Sequence, residues 1–197
     1  MTTKVQIFNM ALGAIGEKSK IQSITEKSPQ AAVCNLYYDQ MVETVLSDFD
    51  WNFASQTETL SLIGTAPTGW TYQYAIPSDC LTVREIVREV RVNTDRIPYK
   101  IARDRTANMR VILTNKADAE LRYTARVTDT SQFSPWFVEA LSLRISAAIA
   151  QPMTKKKDIV TRQFQLYNRA LLAAAAASAN EEEQDEPNDA DWIRARE

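Results

Sequence analysis

Histidine is absent from these 197 residues and glycine is reduced to four. Without imidazole the chain lacks the commonest general base near neutral pH and the commonest metal ligand, which excludes Ser-His-Asp triads and zinc hydrolase sites. No GxGxxG or GxxxxGK[ST] pattern occurs among the few glycines, so nothing is present to cradle a nucleotide phosphate. The two cysteines, Cys34 and Cys80, are too few for a disulfide framework and lack CxxC spacing. Both are expected as buried thiols packing as small hydrophobes. No apolar run approaches the ~20 residues of a membrane span. The opening residues Met1 to Val5 lack a basic segment followed by an apolar stretch and a small-residue cleavage site. A soluble protein made and folded in the cytoplasm, with no membrane partner, no cofactor and no metal, is the expectation.

What is present is close to a globular average, with 45% hydrophobic and 24% charged residues. The length exceeds the ~100–150 residues of a typical domain without requiring two independent units, so one body in two lobes is expected. Net charge is only −2, but residues 181–197 hold eight acids against two arginines. An acidic tail on a basic body suggests assembly through opposite charges or a surface near nucleic acid.

Apolar periodicity divides the rest. Val5, Phe8, Leu12 and Ile15 share a helical face, with Gly16 as the stop. Ser28 and Pro29 open a second helix whose stripe is Cys34, Tyr38, Met41, Val45 and Phe49. From there the composition turns to threonine, valine, tyrosine and isoleucine punctuated by Pro67, Gly69, Pro77 and Pro98, which reads as β. Candidate strands are 58–63, 72–76, 83–92, 99–103, 110–114 and 120–127, forming one twisted, mostly antiparallel sheet with a wet face. Ser134 and Pro135 open a third helix, with Trp136, Phe137, Ala140, Leu141, Ile145, Ala148 and Ile149 apolar and Pro152 as its end. A fourth starts near Lys155, carries Val160, Phe164, Tyr167, Leu171 and Ala174, and runs through the five alanines at 173–177. The fold class is α+β. Residues 1–53 and 131–180 form a helical bundle lobe, residues 54–130 a β lobe beside it, and residues 181–197 an extended linker and docking tail. Trp192 and Ile193, flanked by Asp191, Arg194 and Arg196, interrupt the acidic tail as an anchor for a partner surface, because Trp and Arg are enriched at interface hot spots.

Four blocks carry a resemblance. Ile7 to Gly16 resembles an N-x-A-L-x-x-I-G opening helix, and Ala32 to Tyr38 leading to Asp50-Trp51-Asn52-Phe53-Ala54 is similar to a second helix closed by W-N-F-A. Tyr72 to Leu81 resembles Y-x-Y-x-x-P-x-D-C-L, and the last block is Asp191-Trp192-Ile193-Arg194-Ala195-Arg196. In that order they resemble tail tubular protein A and the head-to-tail adaptors of short-tailed bacteriophages. The resemblance implies a structural virion protein rather than an enzyme: a homo-oligomeric ring, dodecameric in the family, stacked beneath the portal protein. Its helices would face the portal and its β lobe the tail nozzle or tail tubular protein B, around a channel that double-stranded DNA crosses during ejection. This chain departs from the family in its long acidic-alanine linker.

Other readings stand beside it. Residues 81–127 hold eleven Lys and Arg against six acids. Arg84, Arg88, Arg91, Arg103 and Arg105 are candidates to face a channel or DNA, and weak non-specific binding is the most expected of them. The plainer reading makes them the wet face of a sheet, paired with Glu85, Glu89, Asp104 and Glu120. A non-specific DNA-binding protein is one alternative. A glycan-degrading tail-associated hydrolase is another, resting on the carboxylate pairs Asp48 and Asp50 or Asp79 and Glu85. Trp51 is expected in the core, and Trp70 at the start of a strand or at a subunit boundary.

Overall fold

The computed structural model describes residues 2–87 and 96–181. Among them lie four α-helices and six strands: α1 (Lys4–Ala14), α2 (Pro29–Asp48), β1 (Ser55–Thr59), β2 (Tyr72–Ala75), β3 (Cys80–Ile86), β4 (Tyr99–Asp104), β5 (Met109–Thr114), β6 (Glu120–Ala125), α3 (Pro135–Thr154) and α4 (Lys157–Glu181). The α+β class and its division into a helical and a β lobe match the sequence expectation.

Helix ends are set by local chemistry. Thr3 and Gln6 form a reciprocal capping box at the start of α1. At its end Gly16 takes φ +83°, its N–H donates to the Gly13 carbonyl, and the Glu17 N–H donates to Leu12. That pair of bonds is a Schellman motif, which needs a left-handed residue and hence favours glycine. Ser28 and Ser134 cap α2 and α3, each with proline at the first helical position. Pro152 does not end α3, which continues to Thr154 before Lys155 turns left-handed at φ +59°. A proline in the last turn forfeits one hydrogen bond, a small loss against the Ile149 and Ala150 side chains buried just before it.

The bundle core joins all four helices through Phe8, Leu12, Tyr38, Val45, Phe137, Leu141, Ile145 and Tyr167, among others. The α1 stripe is wider than the spacing of Val5, Phe8, Leu12 and Ile15 suggests, since Ile7 and Ala11 are also fully buried. Polar bonds fix the helices relative to one another. Buried Gln163 on α4 accepts from Ser146 Oγ on α3 at 3.1 Å and donates to the Ala14 carbonyl at the end of α1 at 2.8 Å. Tyr167 donates to Asp48 Oδ2 at 2.6 Å, tying α4 to the end of α2.

The β lobe departs from the single sheet expected. Among the described residues it holds two three-stranded antiparallel sheets, ordered β1-β6-β3 and β2-β5-β4. The run expected as one strand over 58–63 is divided between them. Ser55–Thr59 pairs with β6, after which Ser61 and Ile63 bond to Ala75 and Gln73 of β2. A segment that leaves one ladder and enters another keeps an extended backbone throughout, so its residue pattern alone does not reveal the switch. The two sheets share a second core of Leu60, Tyr74, Ile76, Cys80, Ile86, Ile112, Leu121 and Tyr123. Cys34 and Cys80 are free and buried in the first and second cores respectively, as expected. Burial alone raises the Cys34 thiol to about 11.

Candidate functional site

The segment Phe49–Ala54 connects α2 to β1 and is the hinge on which the two lobes meet. Trp51 is its centre. Its indole N–H donates to the Val45 carbonyl at 2.7 Å, and its ring meets Phe49 and Phe137 edge to face with centroids 4.9 and 5.1 Å apart. Phe53 and Phe133 complete the cluster against Phe137, at 5.1 and 4.6 Å. Trp51 is therefore core, as its sequence setting suggests.

An ion-pair cluster lies on the β-lobe side of this hinge. Arg84 on β3 reaches the end of α2, where its Nη2 donates to the Phe49 carbonyl at 2.7 Å and, at 3.3 and 3.4 Å, to those of Ser47 and Leu46. Its Nε donates to Thr124 Oγ1 at 2.8 Å and sits 3.5 Å from Asp50 Oδ1. A cation forked over orphan carbonyls at a helix C-terminus satisfies both the missing hydrogen bonds and the negative end of the dipole. Arg122 bridges Asp50 and Glu85, the latter at 2.8 Å. Burial disfavours its charge, but hydrogen bonds and attraction from the two carboxylates outweigh that and raise its pKa. Arg126 pairs with Glu43 of α2 at 3.0 Å.

This placement separates the candidate arginines. Arg84 is committed to intramolecular partners and only 19% exposed. Arg103 and Arg105 are exposed on the β4–β5 hairpin, where Arg103 donates to Asn108. Asp104 between them is engaged by its own turn rather than by an arginine. Its Oδ1 accepts from the Thr106 and Ala107 N–H groups and its Oδ2 from Gln73, which hold its pKa below the usual carboxylate range. Arg88, Arg91, Asp191, Trp192, Ile193, Arg194 and Arg196 lie outside the described residues. Trp70 is half-buried in a turn closed by its N–H on the Pro67 carbonyl.

The carboxylates considered for glycan chemistry also have structural partners. Asp48 accepts from Tyr167, Asp50 pairs with Arg84 and Arg122, Glu85 pairs with Arg122, and Asp79 shares Tyr123 OH with Glu58 at 3.3 Å to each. The motif blocks do comparable work. The Asn9 side chain clamps the backbone of Ile21 through two 2.8 Å bonds, which fixes the loop after α1. Tyr74 OH donates to the Lys116 carbonyl and the Cys80 N–H to that of Pro77.

No protein-family model matches this chain, and no curated protein matches it.

A feature missed in the sequence reading lies on the other side of Trp51. A groove of about 360 Å³ runs between the hinge, the start of α3 and the alanine-rich part of α4. Phe49, Trp51, Phe53 and Trp136 line it together with Ala174 and Ser178. None of its lining residues is charged. Trp136 is 42% exposed there, although its helical position next to Phe137 suggests core. The available signal was the pair of small residues one turn apart on α4, which leaves room opposite an aromatic. Other exposed apolar side chains are Leu36 and Leu172, at 74% and 72%, on the helical lobe, and Leu62 and Ile101 on the β lobe. No helix among the described residues is long and apolar enough to cross a membrane.

Proposed function

We propose that this chain is a structural virion protein, a ring-forming adaptor that joins the portal of a tailed bacteriophage to its tail nozzle and leaves an axial channel for DNA ejection. The observation that carries the reading is what the described motif residues do. Asn9 and Gly16 set the loop after α1, Trp51 centres the hinge between lobes, and Tyr74, Asp79 and Cys80 bind the β lobe together. Those residues cap, pack and connect rather than perform chemistry, which supports reading the four blocks, similar in sequence to those of the adaptor family, as fold-determining.

A cyclic oligomer built head to tail needs two different, complementary patches on each subunit. Leu36 and Leu172 on one lobe, and Leu62 and Ile101 on the other, are exposed apolar side chains open to contact with a neighbour. Arg103 and Arg105 give the β4–β5 hairpin a basic tip, suited to a transient neighbour of DNA rather than to a clamp, since firm phosphate binding would oppose transit. The ring of the proposal is the family's dodecamer, located in the virion at the head-to-tail junction.

Electron microscopy of particles assembled without this chain tests the proposal. DNA-filled heads lacking tails are expected, and normally tailed, infective particles would overturn it.

A further inference from the structure

We infer that in the free subunit the aromatic groove is occupied by the chain's own tail, with Trp192 and Ile193 seated against Trp136 and the Phe49–Phe53 hinge. This goes beyond the adaptor reading and holds or fails without it. Three observations combine. The groove is uncharged, walled by a tryptophan exposed to 42%, and of a size for one or two apolar side chains rather than a long peptide. The tail contains one apolar pair, Trp192-Ile193, in an otherwise acidic and polar stretch. The geometry of attachment is favourable, because Ser178, in the groove wall, is three residues before Glu181, the last residue of α4.

Reach decides between occupants. Three helical residues advance the chain by only ~4.5 Å, and the ten residues 182–191 can span up to ~35 Å. The tail therefore starts at the lip of the groove with length to spare for a return. A tether of this length holds the anchor at an effective concentration on the order of millimolar. At micromolar protein a second copy's tail competes at roughly a thousandfold disadvantage. The consequence for assembly is a subunit that covers an apolar site until a partner with a better surface draws the tail away.

The test uses the full chain carrying Ser178→Cys and Ala195→Cys, treated with a short bis-maleimide at micromolar protein; Cys34 and Cys80 are buried and serve as internal controls. The inference expects a cross-link between the two new cysteines within one chain, reduced at least about tenfold by Trp192→Ala. A cross-link between chains, none at all, or one indifferent to Trp192→Ala would overturn it. A second measurement covers loss of folding in the cysteine variants. With 5-fluorotryptophan in the otherwise unaltered chain, the Trp136 fluorine resonance, assigned through Trp136→Phe, should move on Trp192→Ala. An unmoved Trp136 resonance would overturn the inference equally.

Discussion

Replacing Arg84 with lysine keeps the charge and removes the fork, which separates a structural arginine from one that meets DNA. In the structure its guanidinium spans three carbonyls at the end of α2, the Thr124 hydroxyl and the Asp50 carboxylate. A lysine ammonium at the end of a flexible stem can reach the helix end or Asp50 but cannot hold all of them in one plane. Hydrogen bonds to a charged group contribute about 1.5–3 kcal/mol each, and partners left unpaired add their desolvation. Arg84→Lys should therefore cost about 2 kcal/mol. Arg84→Met also removes the cation from the helix terminus and leaves Asp50 to Arg122 alone, so it should cost about 3–4 kcal/mol. At this size each kcal/mol moves the midpoint by ~2–4 °C, giving a loss of about 4–8 °C for lysine and 6–16 °C for methionine. Urea denaturation followed by circular dichroism gives the same quantities independently. Because the side chain is only 19% exposed, 0.5 M salt should leave the differences nearly unchanged. Both variants within ~0.5 kcal/mol of the parent would refute the capping role and return Arg84 to the group of candidates for a channel surface.

Gly16→Ala should destabilise by about 1 kcal/mol through its left-handed backbone alone, because an added Cβ meets nothing within 4 Å; a neutral result in chemical denaturation would mean that the Schellman end of α1 is not required. The phenols of Tyr38, Tyr123 and Tyr167 are all raised, first by burial and then by nearby carboxylates, Tyr38 to about 12. A folded pKa above the unfolded value of ~10 means that their contribution is complete below pH ~10 and is lost as pH climbs beyond it. Absorbance at 295 nm should show these three ionising only as helical dichroism collapses. All seven tyrosines titrating near pH 10 in a folded chain would contradict that. Trp51→Ala removes the centre of the aromatic hinge and should cost about 3–5 kcal/mol, with near-ultraviolet dichroism lost first; a small effect would show that the lobes do not depend on it.

Local chemistry made much of the fold legible in advance. Ser28-Pro29 and Ser134-Pro135 announce α2 and α3 to the residue because a cap and a fixed φ act within one turn. Strands form close to the runs expected over 72–76, 99–103, 110–114 and 120–127, where β-branched and aromatic residues lie between turn residues, whereas 58–63 is split between sheets and the far end of 83–92 lies outside the described residues. What was not legible depends on partners far along the chain. The switch of residues 55–63 between sheets is decided by which strands they meet: Ser55 pairs with Thr124 of the distant β6, whereas Ser61 and Ile63 bond to Ala75 and Gln73 of β2. Arg84 looks like any other arginine on a wet strand until α2 ends above it. The groove gathers Trp136 of α3 and Ala174 and Ser178 of α4, distant in sequence, into one lining through the packing of α4 on α3. The anchor expected at 191–196 lies outside the described residues.

Native mass spectrometry of the chain mixed with portal rings tests the central claim most directly. The account predicts a complex of one portal ring with a closed set of adaptor subunits, dodecameric in stoichiometry. A chain that stays monomeric beside every portal ring offered to it, at concentrations well above those of assembly, would contradict the account.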